Sequence, residues 1–326
     1  MKALRYHAVG SLDQVRIDDV DQPACGSDET LVKVAAAGVN PIDAKIPTSG
    51  MAGQSMPRTL GIDFAGTVVG GERFAKGTRV FGSGQGFGVR RDGAFAEFVS
   101  VPNAGLIELA DAISFETAAS LGVVFLTAHE CILGGGGVRA GETVVVHGAG
   151  GGLGQACVQI AAKIVGARTI AVVSSAAGDA LARSLGAADT IDRKRVDVPE
   201  AIRTLTDGRG ADVIVDVVGG AVFEASVVLL APNGRLVAVG LSAGAERRVQ
   251  FDLVEFYRAS RRIIGVTSSS FAMDERAKRL RDVASWLRDG KIVAPAIEVV
   301  PFDRSRDALA RTMAPEGVHG KLVLKL

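Results

Sequence analysis

The feature that most constrains this chain is a run of β-branched residues that leads into a cluster of glycines. Thr143–Val146 are typical of a buried strand, and the turn that follows has the form Ala-x-Gly-x-x-Gly at Ala149, Gly151 and Gly154. From Leu153 onward, apolar residues recur at helical spacing. The stretch therefore predicts a strand, a tight turn and the start of a helix.

The small residues of this turn match the pattern of turns that bind a pyrophosphate. Ala149 permits a tight turn, Gly151 lets the backbone approach phosphates, and Gly154 lets the helix lie close to the strand. A flexible glycine turn is the alternative, but a second apolar strand at residues 169–173 completes a strand–helix–strand unit of about thirty residues. We therefore predict dinucleotide binding, with the helix N-terminus facing the phosphates. The expected contacts are Ala149, Gly150, Gly151, Gly152 and Leu153.

Length and composition limit the class of protein. The 326 residues exceed one typical core, so we expect two domains, and a net charge of +1 argues against a nucleic-acid surface. No apolar run is long enough to span a bilayer, and the N-terminus lacks the apolar core of a signal peptide. The 3 cysteines are scattered, which suits a reducing compartment. We expect a cytoplasmic protein without membrane or nucleic-acid partners.

The order of predicted strands and helices divides the chain. Residues 1 to about 115 read as mostly β, whereas six apolar strands alternate with helices between residues 143 and 266, which predicts a doubly wound, mostly parallel sheet. The C-terminal segment is expected to return to the N-terminal part. The predicted domains are residues 1–120 completed by residues 268–326, and residues 121–267.

The carboxyl ends of parallel strands share one edge, and ligands bind there. Residues that directly follow predicted strands are therefore cofactor-binding candidates. Besides the glycine turn, these candidates are Ser174, Ser175, Val218, Gly219 and Gly240. The glycine-rich loop at residues 82–88 is expected to form a mobile rim.

Further segments carry a family resemblance. They are Ala36-Ala-Gly-Val-Asn40-Pro-Ile-Asp43, Gly61-Ile-Asp63-Phe-Ala-Gly66, Gly93-Ala-Phe-Ala-Glu-Phe-Val99, residues 149–154, Leu185-Gly-Ala-Ala-Asp189, Asp216-Val-Val-Gly-Gly220 and His319-Gly-Lys321. Over nearly its whole length the chain resembles the zinc-independent quinone oxidoreductase branch of the medium-chain dehydrogenase/reductase superfamily. The resemblance implies a GroES-like catalytic domain and a Rossmann domain with the active site between them. It also implies a nicotinamide cofactor and a tendency to form homodimers.

The same resemblance indicates that zinc is absent. Zinc-dependent relatives carry a cysteine where Asn40 stands and a histidine where Ile62 stands, and an amide and an aliphatic chain cannot replace those ligands. The 4 histidines show no ligand spacing. We therefore expect no bound metal.

The end of the second strand of the parallel sheet bears on the choice of cofactor. NAD-selective sites place an acid there, but this chain has Ser174 and Ser175, with Asp179 following later. The resemblance also places Arg193 near a 2′-phosphate. NADPH is therefore expected rather than NADH. The alternative is that the two serines only cap the next helix.

Without zinc, another group must polarise the substrate. Asn40 is the first candidate, as a neutral hydrogen-bond donor, although an Asn before Pro can be purely structural. Asp43 and Asp63 are further candidates. The alternatives are that Asp43 only binds backbone amides and that Asp63 only ties two loops together. The resemblance places Thr127 at the nicotinamide. Phe271 and Lys321 are also expected to contact the cofactor. The alternatives are that Phe271 only packs in the core and that Lys321 is a solvated strand lysine.

These inferences predict an oxidoreductase that transfers hydride from NADPH to a quinone or an α,β-unsaturated carbonyl compound. A zinc-independent alcohol or ketone dehydrogenase is one alternative. Relatives often bear a tyrosine shortly after the Asn40 position, and here the only tyrosines are Tyr6 and Tyr257. A cofactor-binding protein with a sensing or structural role is therefore a further alternative.

Overall fold

The computed structural model describes residues 1–242, 244–314, 318 and 320–326. His319 of the C-terminal motif lies outside the described residues. The chain divides into two compact units. Unit 1 comprises Met1–Leu126, Ser269–Ser285 and Ala294–Leu326, and unit 2 comprises Thr127–Ser268 and Trp286–Val293.

Strands and helices are numbered here in chain order. The strands are β1 (Lys2–Tyr6), β2 (Val15–Asp19), β3 (Glu29–Gly38), β4 (Arg58–Thr59), β5 (Asp63–Gly70), β6 (Arg79–Ser83), β7 (Phe98–Pro102), β8 (Ile107–Glu108), β9 (Thr143–Val146), β10 (Arg168–Val173), β11 (Asp189–Asp192), β12 (Ala211–Asp216), β13 (Leu230–Ala238), β14 (Arg262–Gly265), β15 (Ile297–Pro301) and β16 (Lys321–Lys325). The α-helices are α1 (Pro41–Ser49), α2 (Phe115–Ile132), α3 (Gly152–Gln159), α4 (Ala176–Ser184), α5 (Val198–Leu205), α6 (Ala221–Val228), α7 (Leu253–Arg258), α8 (Met273–Arg288) and α9 (Ser305–Thr312).

Unit 1 is built mainly from antiparallel strands. Its larger sheet has the order β15-β16-β3-β5-β6-β8, with β7 also pairing with β3, and a smaller sheet has the order β2-β1-β4. The apolar side chains of these strands and of α1 and α9 form one buried cluster. Because β16 pairs with β3, the C-terminal segment does return to the N-terminal part, as the sequence predicts.

Unit 2 contains a six-stranded sheet of order β11-β10-β9-β12-β13-β14, in which every neighbouring pair is parallel. The strand order reverses beside β9, so the loops after β9, β10 and β12 meet at one carboxyl edge. Both predicted fold classes, a GroES-like mostly-β domain and a doubly wound Rossmann sheet, are confirmed.

Some local predictions were wrong. The helix α1 was not expected, because residues 1 to about 115 read as mostly β. The loop at residues 82–88 is not a rim, because Phe87 is buried against Phe64 with ring centroids 6.2 Å apart. None of the helices in the described part of the chain is long and apolar enough to cross a membrane.

Candidate active site

Strand pairing in the unit 1 sheet places several polar residues side by side in one row across the strands. Across neighbouring strands, Gly38 at the end of β3 pairs with Asp63, and Asp63 pairs with Ser83. Asn40 follows β3 by two residues, and Lys321 begins β16, the strand that pairs with β3 on its other side. Strand register therefore places side chains together that are far apart in the sequence.

Asp63 lies at the centre of this row and is fully buried. Its carboxylate accepts hydrogen bonds from Asn40 Nδ2 (2.9 Å), Ser83 Oγ (2.7 Å) and the Val123 N–H of α2 (2.9 Å). Gly122 allows that last approach, since a Cβ there would lie 2.0 Å from Asp63 Oδ1. A buried carboxylate with this many donors is well satisfied.

Asn40 is buried at the N-terminus of α1, and its side chain joins the surrounding groups. Its amide Nδ2 donates to Asp63 (2.9 Å) and lies 3.3 Å from Asp43 Oδ2 and 3.4 Å from the Gly38 carbonyl. Its Oδ1 accepts a hydrogen bond from Lys321 Nζ. Both amide hydrogens are thus already donated within the protein, so a bond to a substrate carbonyl would require one of them to be exchanged.

Two buried cations balance the carboxylates. Lys321 Nζ lies 3.7 Å from Asp63 Oδ2, and Arg276 donates to both the hydroxyl and the carbonyl oxygen of Ser83 at 2.7 Å. Burial lowers the pKa of Lys321, while Asp63 and Asp43 act in the opposite direction. Burial likewise lowers the pKa of Arg276 against the effect of Asp63. We call the six residues Asn40, Asp43, Asp63, Ser83, Arg276 and Lys321 the polar cluster.

Asp43 is the least satisfied carboxylate of the polar cluster. Its Oδ2 accepts the backbone N–H of Asn40 (2.8 Å), but its Oδ1 is buried without a partner among the described residues. Burial, followed by the charge of Asp63, raises the pKa of Asp43 to about 7. This carboxyl group therefore changes its protonation state near neutral pH.

Sequence reasoning missed part of the polar cluster. Ser83 stands in the glycine-rich segment that was expected to be mobile, and Arg276 lies on α8 beside the buried Ala277. A basic residue next to the apolar stripe of a helix was the available signal for Arg276. Lys321 was expected to reach cofactor phosphates, whereas its ammonium group is buried and bonded to Asn40.

The glycine turn of unit 2 lies at the carboxyl end of β9, as expected. Gly154 must be glycine, because a Cβ there would lie 2.3 Å from the Gly148 carbonyl oxygen. Gly150 faces open space, with no described atom within 4 Å of a built Cβ. The N–H groups of the first turn of α3 lack partners within the helix. Together these features leave room and donors for an anionic group.

The ends of β10 and β11 lie beside this turn. Ser175 caps α4 by accepting the Gly178 N–H (3.1 Å), so the capping alternative holds for that serine. In the parallel pairing, Val173 is aligned with Asp192, and Arg193 N–H donates to the Val173 carbonyl (3.0 Å). The backbones of Ser174 and Arg193 are therefore adjacent.

Among basic residues near this edge, Arg193 and Arg183 differ in availability. The guanidinium of Arg183 donates to Asp179 (3.2 Å) and to Thr190 (2.6 Å). Arg193 is exposed and makes no ion pair with any residue that the structure describes. Only Arg193 is therefore available for a ligand without breaking an existing contact.

The remaining predicted residues lie in both units. Asp216 Oδ1 holds the loop after β12 by accepting N–H groups from Val218 (2.7 Å) and Gly219 (3.0 Å). The buried Thr127 hydroxyl in unit 2 lies 2.9 Å from that of Ser268. Gly240 follows β13 in unit 2, and Phe271 belongs to unit 1, where the Arg279 guanidinium covers its ring at 4.0 Å.

Comparison with known proteins agrees with this architecture. An alcohol dehydrogenase GroES-like domain model matches residues 26–111, and a zinc-binding dehydrogenase model matches residues 152–286. A quinone oxidoreductase of Pongo abelii is 26% identical over 332 residues, which cover 100% of this chain and 98% of the relative.

Two solved structures are similar over the full chain. The quinone oxidoreductase of Pseudomonas syringae pv. tomato is 30% identical, with a TM-score of 0.89 and coverage of 100% of this chain and 99% of that one. A mycobacterial protein solved in complex with NADPH is 27% identical, with a TM-score of 0.87 and 100% coverage of both chains. The fold and sequence define an oxidoreductase. The chain belongs to the medium-chain dehydrogenase/reductase superfamily, in its quinone oxidoreductase branch.

One of the matching family models is described as zinc-binding, but the described side chains do not fit a zinc site. No group of three or more His, Cys, Asp or Glu side chains in the part of the chain that the structure describes could hold a metal ion. At the position where zinc-dependent relatives carry cysteine, the Asn40 amide is instead engaged by Asp63 and Lys321. We therefore derive no step through zinc.

Proposed function

We propose that this oxidoreductase uses NADPH, without zinc, to reduce a quinone or an α,β-unsaturated carbonyl compound. The observation that carries the proposal is the exposed Arg193 beside Ser174, next to an open glycine turn at the carboxyl edge of the parallel sheet. A guanidinium and a hydroxyl suit a 2′-phosphate, which an acid at this place would repel. The similarity to a mycobacterial protein solved with NADPH supports the same assignment.

The chain offers groups for each part of the cofactor. The turn from Ala149 to Leu153 would hold the pyrophosphate on backbone N–H groups and the N-terminus of α3. Ser174, Ser175 and Arg193 would hold the 2′-phosphate end. When bound, the reduced nicotinamide supplies a hydride. The remaining proposed cofactor contacts lie in loops or carry side chains suited to contact the nicotinamide ring. They are Thr127, Val218, Gly219, Gly240 and Phe271.

The polar cluster would serve the acceptor. Reduction places negative charge on the acceptor oxygen, and preorganised donors in a buried setting stabilise such charge. Asn40, Asp43 and Asp63, which the sequence offers as candidates for catalysis, all belong to this cluster. Because the Asn40 amide is fully engaged, we assign it to holding Lys321 and the two carboxylates in place. The similarity to quinone oxidoreductases supports an acceptor of the quinone class.

Turnover assays test this function. NADPH and NADH oxidation by the purified protein would be measured with a quinone, an enone, a simple ketone and no acceptor. We expect NADPH oxidation with the quinone or the enone and a higher kcat/KM for NADPH than for NADH. Turnover only with the ketone, or with the corresponding alcohol in reverse, would indicate a dehydrogenase. Binding of NADPH without turnover of any acceptor would indicate a sensing or structural role.

A further inference from the structure

The proton donors of the polar cluster differ in how many of their hydrogens already form hydrogen bonds within the protein. The Asn40 amide and the Ser83 hydroxyl donate within the cluster. The Lys321 ammonium has three N–H donors. Asn40 Oδ1 accepts one, Asp63 Oδ2 lies 3.7 Å away, and no further acceptor for Lys321 Nζ occurs among the residues described. Lys321 therefore keeps a hydrogen that can be given to an acceptor.

We propose that Lys321 is the proton-holding residue of the acceptor site, and that Asn40 and Asp63 position its ammonium group. This inference rests on the proposed function, because adding a hydride to a quinone leaves an oxyanion that must gain one proton. In that step an N–H bond of Lys321 breaks and an O–H bond forms on the acceptor oxygen. Lys321 becomes a neutral amine, and water returns the proton from solvent. The only electrons moved are those of the hydride.

The surroundings of Lys321 suit this task. Its side chain is only 4% exposed, so little bulk water competes with the acceptor oxygen for the ammonium group. Asp63 and Asp43 favour the charged form, whereas burial favours the neutral amine that remains after proton transfer. A donor whose pKa is lowered from its ordinary value transfers a proton more readily than an exposed lysine.

The main competing explanation is that Lys321 is a counter-ion for the buried carboxylates and nothing more. Arg276 provides a matched control, because it is the other buried cation of the polar cluster and also faces Asp63. Its guanidinium is bonded to Ser83, and an arginine does not lose its proton in proteins. If Lys321 had a purely structural role, replacing either cation would have the same effect on kcat and on its pH dependence.

The experiment compares Lys321→Met, Lys321→Arg and Arg276→Met with the natural protein. Three quantities are measured: the NADPH dissociation constant, the free energy of unfolding, and kcat with a quinone as a function of pH. We expect Lys321→Met to lower kcat by roughly 10²–10⁴-fold and to leave the NADPH dissociation constant within about twofold. Because Lys321 donates only when charged, kcat of the natural protein should fall as pH rises through its lowered pKa. Lys321→Met should lack this alkaline fall, and Arg276→Met should keep it.

The outcomes separate the two proposals. Weaker NADPH binding by Lys321→Met would assign Lys321 to the cofactor and overturn this inference. Equal losses of kcat in Lys321→Met and Arg276→Met, with the alkaline fall retained, would make it a counter-ion only. If Lys321→Met does not fold, Lys321→Arg decides, because an arginine keeps the positive charge but does not release its proton, so its kcat should drop as in Lys321→Met and show no alkaline fall. An unchanged profile in Lys321→Arg would overturn the inference. If the natural protein oxidises NADPH with neither the quinone nor the enone, the proposed function itself fails, before the role of Lys321 is tested.

Discussion

Asp43 accepts the backbone N–H of Asn40 at 2.8 Å through one carboxylate oxygen, while its other oxygen is buried without a partner among the described residues. The bond closes the first turn of α1, in which Asn40 is the N-cap and Asp43 the third helical residue. The same carboxylate contacts the Asn40 side chain at 3.3 Å. One residue thus both starts a helix and shapes the site, and the unpartnered oxygen makes its ionisation costly.

The first prediction concerns stability and pH. Burial and Asp63 raise the pKa of Asp43 from 3.8 to about 7, so the folded protein binds this proton more tightly than the unfolded chain. The contribution to the free energy of unfolding is therefore fully present below about pH 4 and is lost as pH rises to about 7. A shift of this size corresponds to roughly 4 kcal/mol. Chemical denaturation from pH 4 to pH 8 measures it.

The variant Asp43→Asn isolates this effect, since an amide resembles the protonated carboxyl group. We expect its stability relative to the natural protein to increase between pH 4 and pH 8. Asp18→Asn is the control of opposite sign: burial alone would raise the pKa of Asp18, but hydrogen bonds from Arg16 and His7 lower it overall. Its carboxylate stabilises the fold above its unfolded pKa of 3.8 and loses this effect only in stronger acid, so the Asp18→Asn difference should stay flat from pH 4 to pH 8. A flat difference curve for Asp43→Asn would contradict the prediction.

The second prediction separates folding from cofactor binding within the glycine turn. In Gly154→Ala the new Cβ would lie 2.3 Å from the Gly148 carbonyl oxygen, so we expect a loss of about 2 kcal/mol or more in the free energy of unfolding. In Gly150→Ala the Cβ meets no described atom within 4 Å, so stability should stay within about 1 kcal/mol. The NADPH dissociation constant of Gly150→Ala should nevertheless rise by about tenfold or more, because the methyl group occupies the space proposed for phosphate. Unchanged NADPH affinity would place the pyrophosphate elsewhere.

The sequence predicts the fold well because periodicity is a local signal. The strands and helices of unit 2 follow from alternating apolar runs and glycine turns. A serine before a helical run is a typical N-cap, as Ser114 is for α2, where it accepts the Thr117 N–H (3.1 Å). The helix α1 was missed because Asn40-Pro41 reads as a turn and Pro47 lies inside the helix. The capping contact of Asp43 starts this helix despite its low propensity.

The polar cluster was predictable only in part. Asn40, Asp43 and Asp63 stand in recognisable motifs, so their residue types drew attention. Ser83 and Arg276 are 193 positions apart, and only the strand register and the packing of α8 bring them together. No local pattern encodes such a contact. For the same reason the burial of Lys321 could not be foreseen from its place at the start of a strand.

The third prediction concerns the cofactor. Arg193→Glu would place a carboxylate beside Ser174 and repel a 2′-phosphate, so kcat/KM for NADPH should fall by roughly 10²-fold while that for NADH changes little. Arg195→Glu is a matched control, since Arg195 is also exposed and lies two residues further from the strand end. Steady-state kinetics with both cofactors measure the ratio. Equal effects of the two variants would reduce Arg193 to a contributor of general surface charge.

The last prediction is a homodimer formed along β14. This strand is the outer strand of the parallel sheet, so one of its sides carries backbone groups that no strand of the described chain pairs with. Such an edge readily pairs with another chain. Exposed apolar side chains lie on and near it, with Ile263 37%, Tyr257 58% and Leu253 66% exposed. Pairing of two β14 strands about a twofold axis would continue the sheet and cover this surface.

Light scattering after gel filtration measures the dimer directly. We expect a mass of about twice the 33.6 kDa chain, and a shift toward the monomer in Ile263→Asp, because two like charges would meet across the axis. Val299→Asp is the control, since Val299 is 46% exposed but lies on β15 of unit 1. A monomeric natural protein would refute the proposal. A dimer that persists in Ile263→Asp but dissociates in Val299→Asp would move the interface to unit 1.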